Sequence, residues 1–177
     1  MASGYNGVFG AFPYAFRRSR SLLFKSYVVC SGLAVALISI FVVIALVVLI
    51  GQTASVQGGS LTLSRAFYIV VGLLVVLPAV APTLAVARRH RRGIESSPRY
   101  EPALAVAGYL FLLSLYLGVV ASMPETFVLD GETVTRPAAS GPFAPLISLL
   151  YAIPQALSWT VPLAGALLVA AAHRLFG

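Results

Sequence analysis

The chain has 177 residues, of which 59% are hydrophobic and 10% charged, with a formal charge of +7. Soluble domains carry about 25% charged residues, so this composition excludes an ordinary soluble globule and points to a chain solvated by lipid. The basic residues sit in short segments between apolar runs, not over a folded polar face, so nucleic acid is not an expected partner. A single Cys30 permits no intrachain disulfide, CxxC pair or thiolate metal site.

The leader GYNGVFGAFPYAFRRSRSLLFKSY mixes Tyr5, Phe9, Phe12, Tyr14 and Phe16 with Arg17, Arg18, Arg20 and Lys25. Aromatic rings favour the headgroup layer, where the ring is buried and its polar edge stays wet. Residues 1–25 are therefore expected to form an interfacial segment, helical from about Pro13 and lying along the cytoplasmic surface. Such a segment anchors the chain; more specifically, it could present Phe9, Phe12, Tyr14 and Phe16 to a larger partner. Arg17 and Arg18 form a twin arginine, but the following SRSLLFK matches an export signal poorly and a topological anchor is the better reading.

Four apolar runs follow. Ser26 to Ile50 is uncharged and exceeds the roughly 20 residues a helix needs to cross about 30 Å of hydrocarbon. Its apolar core also exceeds the h-region of about 7–15 residues in a cleaved signal peptide, and no A-x-A site closes it, so it is read as a retained first span. After a Gly- and Ser-containing linker, GQTASVQGGSLTLSR, the second span is expected over 66–87, with Pro78 and Pro82 one turn apart. The third is expected over 102–121. The fourth run, 144–172, is long for one straight crossing and carries Pro145, Pro154 and Pro162. Each internal proline removes a backbone donor, so this run is either one tilted, kinked helix or a broken one, and the kinked helix is preferred.

Basic residues fix the expected orientation. Arg17, Arg18, Arg20 and Lys25 precede the first span; Arg88, Arg89, Arg91, Arg92 and Arg99 join the second to the third; Arg174 follows the fourth. An even number of crossings puts these on one side and leaves Arg65 and Arg136 on the other, so the positive-inside rule places both termini in the cytoplasm of a plasma-membrane protein. The cluster ARRHRRG, from Ala87 to Gly93, thus sets topology. Arg88, Arg89, Arg91 and Arg92, with the leader's basic quartet, would also touch anionic lipid, at about 1 kcal/mol per residue near such a surface.

Between the third and fourth runs, TFVLDGETVT at 126–135 alternates apolar and polar residues around Asp130-Gly131. Asp-Gly favours a type I′ turn, so an external β-hairpin is expected, pairing Leu129 with Glu132 and Phe127 with Val134. A two-stranded hairpin is marginal alone and must lean on its own helix ends, a second copy or another protein, which makes Phe127, Leu129 and Val134 candidate partner contacts. Glu125, Asp130 and Glu132 lack the spacing of a calcium loop and read as solvated carboxylates.

No chemistry-bearing constellation stands out. The spans lack the Asp, Glu, Lys, Arg or His that pumps and transporters place at mid-membrane, and no hydrolase, zinc-protease or phosphate-loop motif occurs. Neither enzyme activity nor a cofactor is expected. Gln155, Ser158 and Thr160, between Pro154 and Pro162, could line a polar pathway, but these residue types also join helices and satisfy carbonyls freed by proline, and packing is preferred. Small residues four apart support packing: Gly32 and Ala36, Ala81 and Ala85, Ala103 and Ala107, Ala166 and Ala170.

The stretch GVFGAFPYAFRRSRSLLFKSYVV, Gly7 to Val29, together with the four-span layout, resembles an uncharacterised family of small four-helix membrane proteins from haloarchaea. That resemblance implies an archaeal plasma membrane and brings no functional residues. The expected molecule is therefore an all-α integral membrane protein with four transmembrane helices, an N-terminal interfacial segment and a small extracellular hairpin. It would serve as a non-enzymatic accessory or scaffold subunit, in contact with lipid and with other membrane subunits or copies of itself. The other reading is a small-solute channel or transporter, oligomeric in form.

The orientation is open to a direct check. Single cysteines placed near His90 and near Asp130 in a Cys30-free background should differ in intact cells: an impermeant maleimide labels the site near Asp130 from outside and the site near His90 only after lysis. Equal protection of both would contradict the assignment.

Overall fold

A computed structural model describes residues 7–53, 59–95, 97–129 and 131–177, with backbone alone over 59–65. The elements are α1 (Gly7–Arg18), α2 (Leu22–Thr53), α3 (Gly59–Arg92), α4 (Tyr100–Ala121), β1 (Thr126–Leu129), β2 (Glu132–Thr135), α5 (Ala144–Tyr151), a 3₁₀ turn (Gln155–Leu157) and α6 (Thr160–Phe176). Among the described residues, four stretches are long and apolar enough to cross a membrane: Leu22–Thr53, Ala66–Arg92, Tyr100–Ala121 and Gln155–Phe176. They are consistent with a multi-pass membrane protein.

The helices outrun the apolar segments because their ends find polar partners. The Ser21 hydroxyl accepts the Phe24 N–H at 3.2 Å and caps α2, which starts at Leu22, four residues before the expected Ser26. At the other extreme, α3 runs on through the basic cluster to Arg92, where cations suit the negative end of the helix dipole.

Helix α4 is the core of the bundle, packing against α2, α3, α5 and α6, with α6 its principal neighbour. Lipid offers helices no hydrophobic drive to associate, so close backbone approach is what holds them. A side chain at Gly165 would collide with Ser114 and Phe111, and one at Gly118 would come within 2.9 Å of the Pro162 ring. The small pairs expected from the sequence contribute less: Ala107 is buried and Gly32 receives the Phe12 ring, while Ala81, Ala85 and Ala166 are only partly buried.

Tyr27 joins three helices. It is fully buried, and its ring fills the space left by the missing side chain of Gly108 on α4. It also meets Tyr109 edge-on at 5.3 Å between centroids. Its hydroxyl donates to the Ala79 carbonyl at 2.6 Å, in the turn of α3 between Pro78 and Pro82. Pro82 removes the donor to the Pro78 carbonyl, so the Tyr27 bond falls one residue beyond that gap in the ladder. Helix α3 is continuous through both prolines.

Two expectations need correction. The leader helix begins at Gly7, not near Pro13, and doubles back beside α2 so that Phe12 covers Gly32 while Ala11 and Ala15 are fully buried. Alanines at i and i+4 share one face of α1, which packs against α3 and α2, and the helix continues through Pro13. Tyr5 and the rest of residues 1–6 lie outside the described residues.

The fourth apolar run is broken, not kinked. Pro145 stands in the first turn of α5 and Pro162 in the first turn of α6, where no intrahelical donor is required, so neither interrupts a helix. Pro154 alone breaks the run: it adopts an extended conformation (φ −54°, ψ 136°), and the chain restarts through a 3₁₀ turn in which Leu157 N–H donates to the Pro154 carbonyl at 2.8 Å. The fourth crossing is then Gln155–Phe176, and α5 is a separate short helix beside α4.

The hairpin forms in the expected register, with Phe127 opposite Val134 and Leu129 opposite Glu132. Gly131 has a positive φ of 87°, as a tight turn demands. Asp130, the other half of the expected turn, lies outside the described residues.

Overpacking at the close contacts should be costly. Gly108→Ala and Gly165→Ala are each expected to destabilise the detergent-solubilised protein by about 1–3 kcal/mol in thermal melts. Gly51→Ala, where an added methyl meets nothing within 4 Å, should leave the melting temperature unchanged or slightly raised. Wild-type melting of both packed variants would contradict this account of the bundle.

Candidate functional site at the basic end of the bundle

One end of the molecule gathers polar side chains from the α1–α2 turn, α3, α4 and α6. Glu101, in the first turn of α4, receives the Ser19 hydroxyl at 2.6 Å and the Ser21 N–H at 3.3 Å on Oε2, and faces His90 Nε2 at 2.8 Å from Oε1. Ser19 and Ser21 form the turn between α1 and α2, and His90 belongs to the last turn of α3. A carboxylate at a helix N-terminus also suits the positive end of its dipole. One oxygen pair thereby fixes the α1–α2 turn, α3 and α4 relative to one another.

The neighbouring residue extends the knot. The Arg89 guanidinium lies over the Tyr100 ring at 4.6 Å, and the Tyr100 hydroxyl meets His173 Nδ1 at 2.7 Å, which brings in the last turns of α3 and α6. Chemically, the order serine, carboxylate, histidine differs from a hydrolytic triad. There the histidine stands between the other two and takes the serine proton; here Ser19 donates to Glu101 itself. The arrangement holds helices.

The basic residues expected to set topology surround this knot. Arg17, Arg18, Arg20, Arg88, Arg91 and Arg92 are exposed, whereas Arg89 and Lys25 are half-buried. Lys25 lies over the Phe16 ring at 5.7 Å and Arg18 over Tyr14 at 5.9 Å, so charge and aromatic ring are interleaved on the leader. The four leader aromatics divide in two. Phe9 and Phe16 are exposed, while Phe12 and Tyr14 pack against the core.

The opposite end is organised by Arg136, which sequence reasoning used only as a charge to be counted. Its backbone N–H bonds the Glu125 carbonyl at 2.9 Å, its Nη1 donates to the Met123 carbonyl at 3.1 Å, and its guanidinium lies 4.1 Å over the Tyr151 ring of α5. The hairpin is thus seated on its own helix ends. Phe127 and Val134 are half-buried and Leu129 is exposed.

Gln155, Ser158 and Thr160 fall at the break in the fourth run. Thr160 donates to the Leu157 carbonyl at 2.7 Å, and exposed Gln155 lines a cavity of about 250 Å³ with Arg136 and Tyr151, near the hairpin. They share a segment, but a bond to a local carbonyl is the work of a helix start. Among the described residues no group of three His, Cys, Asp or Glu could hold a metal ion.

Sequence reasoning missed Glu101, Ser19, Ser21, Tyr100 and His173 as a set. One signal was available: Glu101 is an acid beside the start of a span, within an otherwise basic neighbourhood. Placing the span start at Pro102 left that residue outside and unasked about.

A family model described as a domain of unknown function (DUF8056) matches residues 1–177, and the chain belongs to that uncharacterised family. No curated protein and no solved structure matches it.

Removing the knot should loosen the bundle. Glu101→Ala leaves the Ser19 hydroxyl, the Ser21 N–H and His90 without their acceptor and is expected to cost about 1–3 kcal/mol in thermal melts. Glu95→Ala, at an exposed loop position, should cost nothing measurable. Equal melting temperatures for the two variants would show that Glu101 is not a structural clamp.

Proposed function

We propose that this DUF8056 member is a non-enzymatic integral membrane protein that acts as an accessory or scaffold subunit of a membrane complex. The observation that carries the reading is the uneven packing of α2. Its buried residues, Phe24, Tyr27, Val28 and Ser31, all lie in its first third. Beyond Ser31, one seam through Val42 rests on Gly72 of α3, and Leu37, Phe41, Ile44, Val47 and Val48 are exposed around the rest.

Lipid satisfies an apolar helix face by itself, so exposure alone does not argue for a partner. What supports the reading is the contrast with α4, whose buried residues run from Tyr100 to Ala121. Among the described residues, the far portion of α2 meets α3 along one seam. That portion could carry a helix from another subunit, with the exposed leader aromatics Phe9 and Phe16 at one end and Leu129 of the hairpin at the other.

Both termini lie in the cytoplasm in this reading, because the basic end holds Arg17, Arg18, Arg20, Lys25 and the ARRHRRG cluster while Arg136 belongs to the hairpin end. The resemblance of the leader favours an archaeal plasma membrane as its location.

Native mass spectrometry of the protein extracted from its own membrane in mild detergent, without overexpression, is the test. Co-purification of a different membrane protein at fixed stoichiometry is the expected result. A bare monomer that conducts a small solute in liposomes would replace the subunit role with transport.

A further inference from the structure

Two cavities meet along the groove between α3 and α6. The first, about 460 Å³, opens at the basic end and is lined by Arg88, Arg89, Arg92 and His173, with Leu84 and Ile94 on its apolar side. The second, about 470 Å³, is lined by apolar residues, among them Leu77, Ala81, Leu104 and Ala170. They share Leu84, Ala85 and His173, so they adjoin along one groove. On α3 the lining positions 77, 81, 84, 88 and 92 recur every three or four residues, which is one helix face about 22 Å long. Both α3 and α6 pack on α4 but touch each other only lightly, and buried Leu104 of α4 contributes to the groove wall.

The mouth carries an excess of positive charge. No acidic side chain lines either cavity, Gly177 being the remaining polar-backbone neighbour, and neither ion pair among the described residues, His90–Glu101 and Arg136–Glu125, involves Arg88, Arg89 or Arg92. Arg89 is held in place by the Tyr100 ring, and its Nη1, buried without a hydrogen-bond partner, lies beneath Gly177. His173 is held too, through Nδ1 on the Tyr100 hydroxyl. When that hydroxyl donates, Nε2 carries the proton and is the ring's remaining donor. One held guanidinium, two exposed ones and an imidazole N–H above an apolar slot match one class of molecule, a lipid with an anionic phosphate head and a hydrocarbon tail.

We propose that the α3–α6 groove is a binding site for a single anionic phospholipid, its phosphate held by Arg88, Arg89, Arg92 and His173 and its acyl chain laid between α3 and α6. Guanidinium groups meet phosphate oxygens in pairs, and basic pockets between transmembrane helices suit such heads. The site goes beyond a diffuse attraction of basic residues to a charged surface, because it predicts stoichiometry and tail dependence. It does not depend on the subunit reading, since an accessory protein, a transporter or an isolated bundle could each hold this lipid.

The test uses the purified full chain in a neutral detergent, titrated with dioleoyl phosphatidylglycerol or dioleoyl phosphatidylcholine and followed by native mass spectrometry. One phosphatidylglycerol per chain should be retained, at least about tenfold more tightly than phosphatidylcholine. The double variant Arg88→Gln, Arg92→Gln changes exposed side chains and should erase the preference. Ala170→Phe, which fills the apolar slot from an exposed position, should expel the lipid while leaving the arginines intact. Equal retention of the two lipids, or a preference that survives the double arginine variant, would overturn the proposal. Displacement of phosphatidylglycerol by millimolar inorganic phosphate, with no effect of Ala170→Phe, would make this a free-anion site and overturn it as well.

Discussion

The buried phenol of Tyr27 is the constraint around which the bundle closes. Its ring needs Gly108 to lack a side chain, and its hydroxyl needs the Ala79 carbonyl at 2.6 Å, so α2, α3 and α4 are fixed by one residue. In a bilayer a hydroxyl has no water to fall back on, and a carbonyl of the neighbouring helix supplies its acceptor. That acceptor lies between Pro78 and Pro82, in a helix that stays continuous through both.

From that junction the molecule develops unequally. Towards the basic end the helices are drawn together by Glu101, Arg89, Tyr100 and His173, and polar bonds span α1 to α6. Towards the hairpin end α4 keeps α6 through Gly118 and Gly165, while among the described residues α2 rests on α3 along a seam through Val42. A rigid base with exposed faces on the far portion of α2 is the architecture on which the proposed subunit role rests. The lipid site belongs to the base, where α3 and α6 are each held by α4 and leave a slot between them.

Much of the architecture was legible because it follows from periodicity and solvation. Four runs too apolar for water gave the crossings, and the alternation around Asp130-Gly131 gave the strand register. The break at Pro154 was harder, since three prolines in one run look alike in sequence. Only their distance from a helix start separates Pro145 and Pro162, which occupy first turns, from the one that interrupts. The polar knot was not legible, because Glu101 meets Ser19 across 82 positions of sequence and no local pattern encodes that contact. Arg136 was hidden for a related reason: its partner Tyr151 lies on a helix whose separate existence depends on the Pro154 break.

Whether the exposed faces of α2 receive another polypeptide is decided by site-specific photo-cross-linking in the native membrane, with the reactive group placed at Ile44, on an exposed face, and in a second variant at Val42, on the seam against Gly72. A protein adduct of one defined mass is expected from Ile44 and none of that mass from Val42. Lipid adducts alone from Ile44, matching those from exposed Leu167 on α6, would contradict the subunit reading.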